Sequence, residues 1–115
     1  MNIRRDIVSK KTIMLVCAAG LSTSMLVQKM QEAVAKEGAD IDVFATGTSK
    51  FDENINQKNI DVVLLGPQVR FMKKDFEKKL VGKSIPIDVV EMINYGTMNG
   101  EKVLQQAKDL MNGGK

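Results

Sequence analysis

The sequence TIMLVCAAGLSTS, from Thr12 to Ser24, joins a short apolar run to the start of a helical pattern. Four consecutive apolar residues, Ile13–Val16, predict a strand that is covered on both faces of a sheet. Cys17, the single cysteine of the chain, then stands at the carboxyl end of that strand. Gly20 relaxes the backbone, and three residues that typically cap the first amides of a helix follow: Ser22, Thr23 and Ser24. The stretch therefore predicts a thiol within a cradle of N–H groups at a helix start.

This environment of Cys17 favours anions. A helix N-terminus carries partial positive charge and unpaired donors, which stabilise a thiolate relative to a thiol. The same amides can hold a phosphoryl group on the sulfur through charge-assisted hydrogen bonds. A lone cysteine is also commonly a small buried hydrophobe. From these residues alone, Cys17 is either a nucleophile or a residue of the core.

The composition limits the other activities of the chain. Its 115 residues suit one small domain, and a net charge of +3 with 4% aromatic residues does not favour nucleic acid as a partner. One cysteine and no histidine exclude an internal disulfide and a His/Cys metal site, and we expect no cofactor. The longest apolar run, Ile13–Ala19, is far shorter than the ~20 residues of a membrane-spanning helix. We therefore expect a cytoplasmic protein that does not insert into the membrane.

Strand and helix patterns alternate along the chain. Strands are predicted at Ile13–Val16, Ile41–Ala45, Ile60–Leu65 and Ile85–Val90. Helices are predicted from the cysteine loop to Gly38, over about Lys50–Lys58, from Pro67 to about Leu80, and along a last apolar stripe, Val103–Met111. Tyr95-Gly96 and Asn99-Gly100 predict a loop before that last helix. We expect an extension at residues 1–11, a domain at 12–112 and a frayed tail at 113–115.

This alternation predicts an α/β fold: a single-domain, four-stranded parallel sheet with helices on both faces and right-handed crossovers. Small doubly wound domains usually place the first strand between the second and third, which makes the order 2-1-3-4. Ligands bind such sheets beyond the carboxyl ends of the strands, at the switch in strand order. We therefore expect Cys17 in that crevice, beside the turn Gly66-Pro67-Gln68.

The third predicted helix carries a basic face, made by Arg70, Lys73, Lys74, Lys78 and Lys79. Such a face is commonly a solvated surface with no partner. It can also be a docking surface that steers an acidic partner. The sequence leaves both interpretations open.

Three stretches of the chain carry a family resemblance: CAAGLSTS at 17–24, VVLLGPQ at 62–68 and YGTMNG at 95–100. Together they closely resemble the IIB components of the bacterial sugar phosphotransferase system, lactose/cellobiose (chitobiose) class. The resemblance implies a fold similar to low-molecular-weight tyrosine phosphatase. It also implies a phosphoryl carrier, a protein-phosphocysteine-sugar phosphotransferase, in which a phosphohistidine on a IIA component phosphorylates Cys17. The group would then pass to a sugar held by the IIC membrane permease, with which the carrier associates peripherally.

The resemblance also assigns roles to residues around Cys17. The loop whose amides would wrap the phosphoryl oxygens consists of Ala18, Ala19, Gly20, Leu21, Ser22, Thr23 and Ser24. Candidates for a second loop or for partner contacts are Gly66, Pro67, Gln68 and Tyr95. Glu91 and Asn94 stand where the family often has aspartates, so the role of that segment stays open.

Two other functional classes compete with the carrier. A phosphatase with the Cys-x5-Arg pattern, or an arsenate-reductase-like enzyme related to it, would place an arginine at position 23 to clamp the phosphoryl oxygens. Thr23 stands there instead, and the chain has no histidine to act as an acid, so water should attack a cysteinyl phosphate slowly. The third class is a noncatalytic regulatory domain with a buried cysteine.

The missing histidine also means that a phosphohistidine donor must belong to another protein.

Overall fold

The computed structural model describes residues 10–18 and 21–113. Its four strands are β1 (Lys11–Cys17), β2 (Ile41–Gly47), β3 (Val62–Leu65) and β4 (Ile87–Val89). They form one parallel sheet in the order β2-β1-β3-β4, which confirms the predicted topology. Predictions for most of the extension 1–11, for Ala19 and Gly20, and for 114–115 in the tail lie outside the described residues.

Five α-helices pack on this sheet within the part of the chain that is described. They are α1 (Leu21–Glu37), α2 (Phe51–Gln57), α3 (Lys73–Lys79), α4 (Met92–Gly96) and α5 (Gly100–Met111). Two 3-10 segments, Thr48–Lys50 and Pro67–Met72, lead into α2 and α3. Gly38, with a φ of +71°, follows the end of α1, as its sequence position predicted.

Strand β1 divides the core into two apolar clusters because its side chains alternate between the two faces of the sheet. Ile13 and Leu15 pack on the side of α1 and α5, together with Leu26, Met30, Val103 and Leu104. Met14 and Val16 pack on the side of α2 and α3, together with Phe51, Phe76 and Leu80. The rings of Phe51 and Phe76 stack with centroids 4.1 Å apart. The helices on both faces of the sheet are thus confirmed.

The clearest difference from the predicted elements lies between β4 and the last helix. The sequence predicts a loop there, whereas the structure forms the short helix α4 at Met92–Gly96. Five residues are too few to show a helical period, so the pattern was not visible in the sequence. The predicted loop is reduced to residues 97–99, where Asn99 caps α5 by accepting a hydrogen bond from the N–H of Lys102 at 3.1 Å.

The third predicted helix also differs in its first turns. Gly66-Pro67 ends β3 and begins a helical segment, as predicted, but that segment is 3-10 helix up to Met72. Val69 has a non-helical φ of −115°, and α-helical geometry begins only at Lys73. The segment still has one side against the core, since Val69, Phe76 and Leu80 are buried.

Candidate active site

Cys17 is the last residue of β1, at the carboxyl edge of the sheet. Strand β1 lies between β2 and β3 in the sheet. The strand order therefore reverses direction at β1, and the carboxyl end of β1 lies at this switch point. Cys17 pairs in register with Gly47 of β2, and its exposed fraction is 2%. Neither apolar cluster of the described core includes Cys17. Cys17 thus lies at the edge of the sheet where doubly wound domains bind their ligands, and its side chain is almost completely buried.

The side chain of Thr23 contacts the thiol directly. Its Oγ1 lies 3.2 Å from the Cys17 Sγ, and its exposed fraction is 0%. Thr23 lies in the first turn of α1, which begins only four residues after β1 ends, so that the strand end and the helix start face each other. Position 23, where a Cys-x5-Arg phosphatase would hold its arginine, thus does face the sulfur, and it presents a neutral hydroxyl.

The prediction that Ser22, Thr23 and Ser24 cap this helix is wrong. Helix α1 begins at Leu21, so the three residues lie inside its first turn rather than ahead of it. Thr23 faces Cys17 and Ser24 is exposed. Ala18 forms an exposed bend after β1, and the backbones of Leu21 and Ser22 belong to the first turn of the helix.

Two glycines flank Cys17 at the sheet edge. A Cβ added to Gly66 would lie 3.5 Å from the Cys17 Cβ, and one added to Gly47 would lie 3.8 Å from the Cys17 carbonyl oxygen. The backbone of Gly66 has φ −63° and ψ 150°, and that of Gly47 has φ −84° and ψ 166°. Because any residue adopts these conformations, the missing side chains, and not backbone freedom, are what these positions provide. Sequence reasoning missed Gly47, because its place beside Cys17 follows from the parallel register of β1 and β2.

The turn after β3 completes the neighbourhood of Cys17. The N–H of Gly66 donates to the carbonyl of Val16 at 2.8 Å, which holds this turn against β1. Pro67 is buried, while Gln68 is exposed and its Oε1 lies 3.1 Å from the position of a Cβ on Gly66. The structure therefore brings the predicted Gly66-Pro67-Gln68 turn beside Cys17.

Tyr95 occupies a different setting from the other predicted site residues. It is buried on α4 and belongs to the apolar cluster that α1 and α5 share. Glu91 precedes α4, and its side-chain Oε1 accepts a long hydrogen bond from Asn94 Nδ2 at 3.4 Å. Residues 91–95 thus build and anchor a short helix at the carboxyl end of β4.

The described residues contain no group of three or more His, Cys, Asp or Glu side chains arranged to hold a metal ion. Among the helices of the described ranges, none is long and apolar enough to cross a membrane.

The geometry agrees with a match to a known family. Residues 12–106 match the family model described as the PTS system, lactose/cellobiose-specific IIB subunit, where PTS denotes the phosphotransferase system. The chain belongs to this IIB family. The three motifs that suggested the family all lie within the matched range, so the predicted family is confirmed.

Curated relatives of this IIB chain cover nearly its whole length. It is 49% identical over 105 residues to the PTS system galactose-specific EIIB component of Lactococcus lactis subsp. cremoris, with 89% of this chain and 97% of the relative covered. Identity and coverage are the same for the PTS system cellobiose-specific EIIB component of Lactococcus lactis subsp. lactis. Identity is 38% over 101 residues to the PTS system oligo-beta-mannoside-specific EIIB component of Bacillus subtilis, covering 88% and 96%.

Solved structures show the same fold. The solution structure of the cellobiose-specific phosphotransferase IIB component from Borrelia burgdorferi is similar with a TM-score of 0.76 and 42% identity, covering 94% of this chain and 97% of that one. The lactose-specific IIB component domain from Streptococcus pneumoniae has a TM-score of 0.75 at 16% identity, covering 89% and 98%, and supports the fold alone.

Membership in the family establishes the activity of the IIB chain. It is a phosphoryl carrier for sugar uptake and a sugar phosphotransferase of the lactose/cellobiose class. As a IIB component, it works with IIA and IIC partners of the same system.

Proposed function

We propose that Cys17 is the residue on which this carrier holds the phosphoryl group. The observation that carries the proposal is the position of Cys17 at the switch in strand order, between two glycines whose missing side chains leave room beside it. Phosphoryl carriers usually use a histidine nitrogen or a cysteine sulfur as the nucleophile. The chain has no histidine and one cysteine, so Cys17 is the one residue of these two types.

The proposed transfer has two steps. The Cys17 thiolate attacks the phosphorus of a phosphohistidine on IIA, so that an S–P bond forms and an N–P bond breaks, and the imidazole keeps the electron pair. A sugar hydroxyl on IIC then attacks the same phosphorus, and its proton passes to the solvent as the O–P bond forms. The S–P bond breaks and the thiolate is restored. In both steps the carrier contributes mainly position and charge stabilisation.

The loop between β1 and α1 would stabilise the phosphoryl oxygens. The first N–H groups of a helix have no acceptor within it, and the 17-residue helix α1 begins directly after the loop. We assign this role to the backbone of residues 18–24, with the Thr23 hydroxyl contacting the sulfur. A second loop beside Cys17, after β3, would be formed by Gly66, Pro67 and Gln68. The exposed side chain of Gln68 would be available for contacts with partners.

The same surroundings favour storage over hydrolysis. Thr23 provides no positive charge to stabilise the transition state of water attack, and burial of Cys17 to 2% exposure restricts the approach of water. A carrier needs a slowly hydrolysed phosphocysteine, because the phosphoryl group must stay on the sulfur until the acceptor arrives. We assign Tyr95 a supporting role in the core, since it is buried beneath α4.

We infer that the carrier operates in the cytoplasm, where it alternates between IIA and the cytoplasmic side of the IIC permease. The names of the relatives cover galactose, cellobiose and oligo-beta-mannosides, and we infer an acceptor sugar of this set. The sugar itself is held by IIC, so that the carrier needs to present only the phosphoryl group.

Phosphoryl transfer in vitro tests the proposal. Wild type and Cys17→Ala are incubated with phosphoenolpyruvate, the general phosphotransferase proteins and a cognate IIA, and the mass of each chain is measured. We expect a gain of one phosphoryl group in the wild type, none in Cys17→Ala, and loss of the group when IIC membranes and sugar are added. Labelling of Cys17→Ala, or rapid release of phosphate from an aryl phosphate by the wild type, would overturn the assignment.

A further inference from the structure

The side of α3 that points away from the core has an unusual composition. Opposite the buried residues Phe76 and Leu80, this surface consists of Arg70, Phe71, Lys74, Lys78 and Val81, and we call it the outer face of α3. Phe71 is 77% exposed and Val81 is 78% exposed, although both are large apolar side chains. Lys74 and Lys78, four residues apart, lie on one side of α3, while Phe71 belongs to the 3-10 segment before the helix and Val81 to the turn after it.

The cations of this face differ from their neighbours in their ion pairs. Lys73 lies 3.8 Å from Glu77 and 3.5 Å from Asp88, so its charge is compensated locally. Lys79 is likewise 2.9 Å from Asp52. Arg70, Lys74 and Lys78 are exposed and form no ion pair with the described residues.

Acidic side chains flank the outer face and do not lie on its centre line. Asp75 is on one side of it and Glu77, which pairs with Lys73, is on the other. Residues 70–79 contain five basic and two acidic side chains, so this segment alone has the formal net charge of +3 that the whole chain has. Residues 1–11 have the same formal net charge, so this segment is one of two places in the sequence where positive charge is concentrated.

We propose that the outer face of α3 binds the surface of an anionic lipid bilayer. Lysine is depleted in protein–protein interfaces, whereas it is the typical residue of surfaces that meet anionic headgroups. Phe71, between Arg70 and Lys74, and Val81, after Lys78, are separate apolar side chains and not a contiguous patch of the kind that forms the core of a protein interface. Apolar side chains beside a row of cations match the composition of interfacial helices.

This surface would place the active site close to the membrane. The 3-10 segment that carries Arg70 and Phe71 begins at Pro67, directly after Gly66, whose missing Cβ would lie 3.5 Å from the Cys17 Cβ. Each cation multiplies affinity for an anionic surface by about five, so three of them strengthen binding by about a hundredfold. Such binding is weak and reversible. It goes beyond the proposed function because it requires no chemistry at Cys17.

Vesicle sedimentation tests the proposal. The full chain is mixed with vesicles of phosphatidylcholine alone, and with vesicles that also contain about one third phosphatidylglycerol. We expect binding to the anionic vesicles only, and we expect it to fall as salt is raised. Phe71→Ser should weaken binding several-fold at constant net charge.

A matched pair of charge reversals identifies the surface. Lys74→Glu/Lys78→Glu should lower vesicle binding by more than about twentyfold and leave phosphoryl uptake from IIA unchanged. Lys29→Glu/Lys102→Glu, which changes the net charge equally at exposed positions on α1 and α5, should keep most of the binding. Equal binding by the two double variants would overturn the proposal. Absence of binding by the wild type would also overturn it. In that case, slower phosphoryl uptake from IIA by Lys74→Glu/Lys78→Glu would assign the outer face of α3 to a protein partner.

Discussion

The Thr23 hydroxyl oxygen lies 3.2 Å from the sulfur of Cys17, and both residues are almost completely buried. A hydroxyl at this distance can donate a hydrogen bond to a thiolate. It adds no charge of its own. The sulfur therefore has a neutral hydrogen-bonding partner at the position where a Cys-x5-Arg phosphatase would hold a charged arginine.

Replacement of Thr23 by valine should slow phosphoryl acceptance by about tenfold to a hundredfold, because a hydrogen bond to a charged atom contributes about 1.5–3 kcal/mol. Thr23→Ser keeps the hydroxyl and should retain the rate within a few-fold, although it leaves a small cavity. The initial rate of labelling by phospho-IIA checks both variants, and thermal unfolding monitors their stability. Equal rates in Thr23→Val and Thr23→Ser would remove the hydroxyl from the mechanism.

A side chain at Gly66 should obstruct the site more than it disturbs the fold. The backbone of Gly66 is ordinary extended chain, but an added Cβ would lie 3.5 Å from the Cys17 Cβ and 3.1 Å from the Gln68 Oε1. Gly66→Val should therefore reduce labelling strongly, and Gly66→Ala less. Gly96→Ala is the control, since its added Cβ meets nothing within 4 Å. Normal labelling of Gly66→Val would contradict the assignment of this space to the phosphoryl group.

Gly100 should be required for stability and not for chemistry. A Cβ there would lie 2.5 Å from the backbone carbonyl carbon of Lys29, so that α5 would have to move away from α1. We expect Gly100→Ala to lower the free energy of unfolding by about 2 kcal/mol or more, as overpacked cores do. Urea denaturation measures this loss, and Gly96→Ala again serves as the control. A change of less than about 0.5 kcal/mol would show that the two helices are not held at this distance.

The cap of α5 should contribute a smaller amount. Asn99 Oδ1 accepts from the N–H of Lys102 at 3.1 Å, and loss of such a cap costs about 1 kcal/mol. Asn99→Ala should therefore lower the melting temperature by a few degrees, whereas Asn99→Asp should preserve it. Calorimetry of the two variants checks the prediction, and equal melting temperatures for both would contradict it.

Much of this architecture was readable from the chain because the strands are short, apolar and separated by amphipathic helices. The apolar runs Ile13–Val16 and Val62–Leu65 predict two central strands. Asp42 interrupts the apolar run of β2, which is typical of the edge position that β2 occupies. Helix α4 was missed because five residues carry no period. The 3-10 start of the third helix was missed because apolar spacing does not distinguish 3-10 from α geometry over so few residues.

The candidate site was predicted less completely than the fold. A strand end followed by a helix start indicates the place of Cys17. The contact of the Thr23 hydroxyl with the sulfur was not predicted, because the sequence suggested a helix cap for that residue. Gly47 is different, because its role arises from the parallel pairing of β1 with β2, which brings it level with Cys17. Only the register of the sheet reveals such a contact. The burial of Tyr95 was likewise determined by tertiary packing rather than by its motif.

We expect the phosphoryl group to reside on the sulfur of Cys17. Phosphorus NMR of the wild-type chain, labelled by phospho-IIA and kept undenatured, tests it most directly, because S–P, N–P and O–P linkages have distinct chemical shifts. We predict a single resonance of S-phosphocysteine, in which the phosphorus is bonded to the cysteine sulfur. This resonance should be missing from Cys17→Ala treated in the same way. A resonance from an oxygen-linked phosphate, or any protein-bound resonance in Cys17→Ala, would show that another residue carries the phosphoryl group.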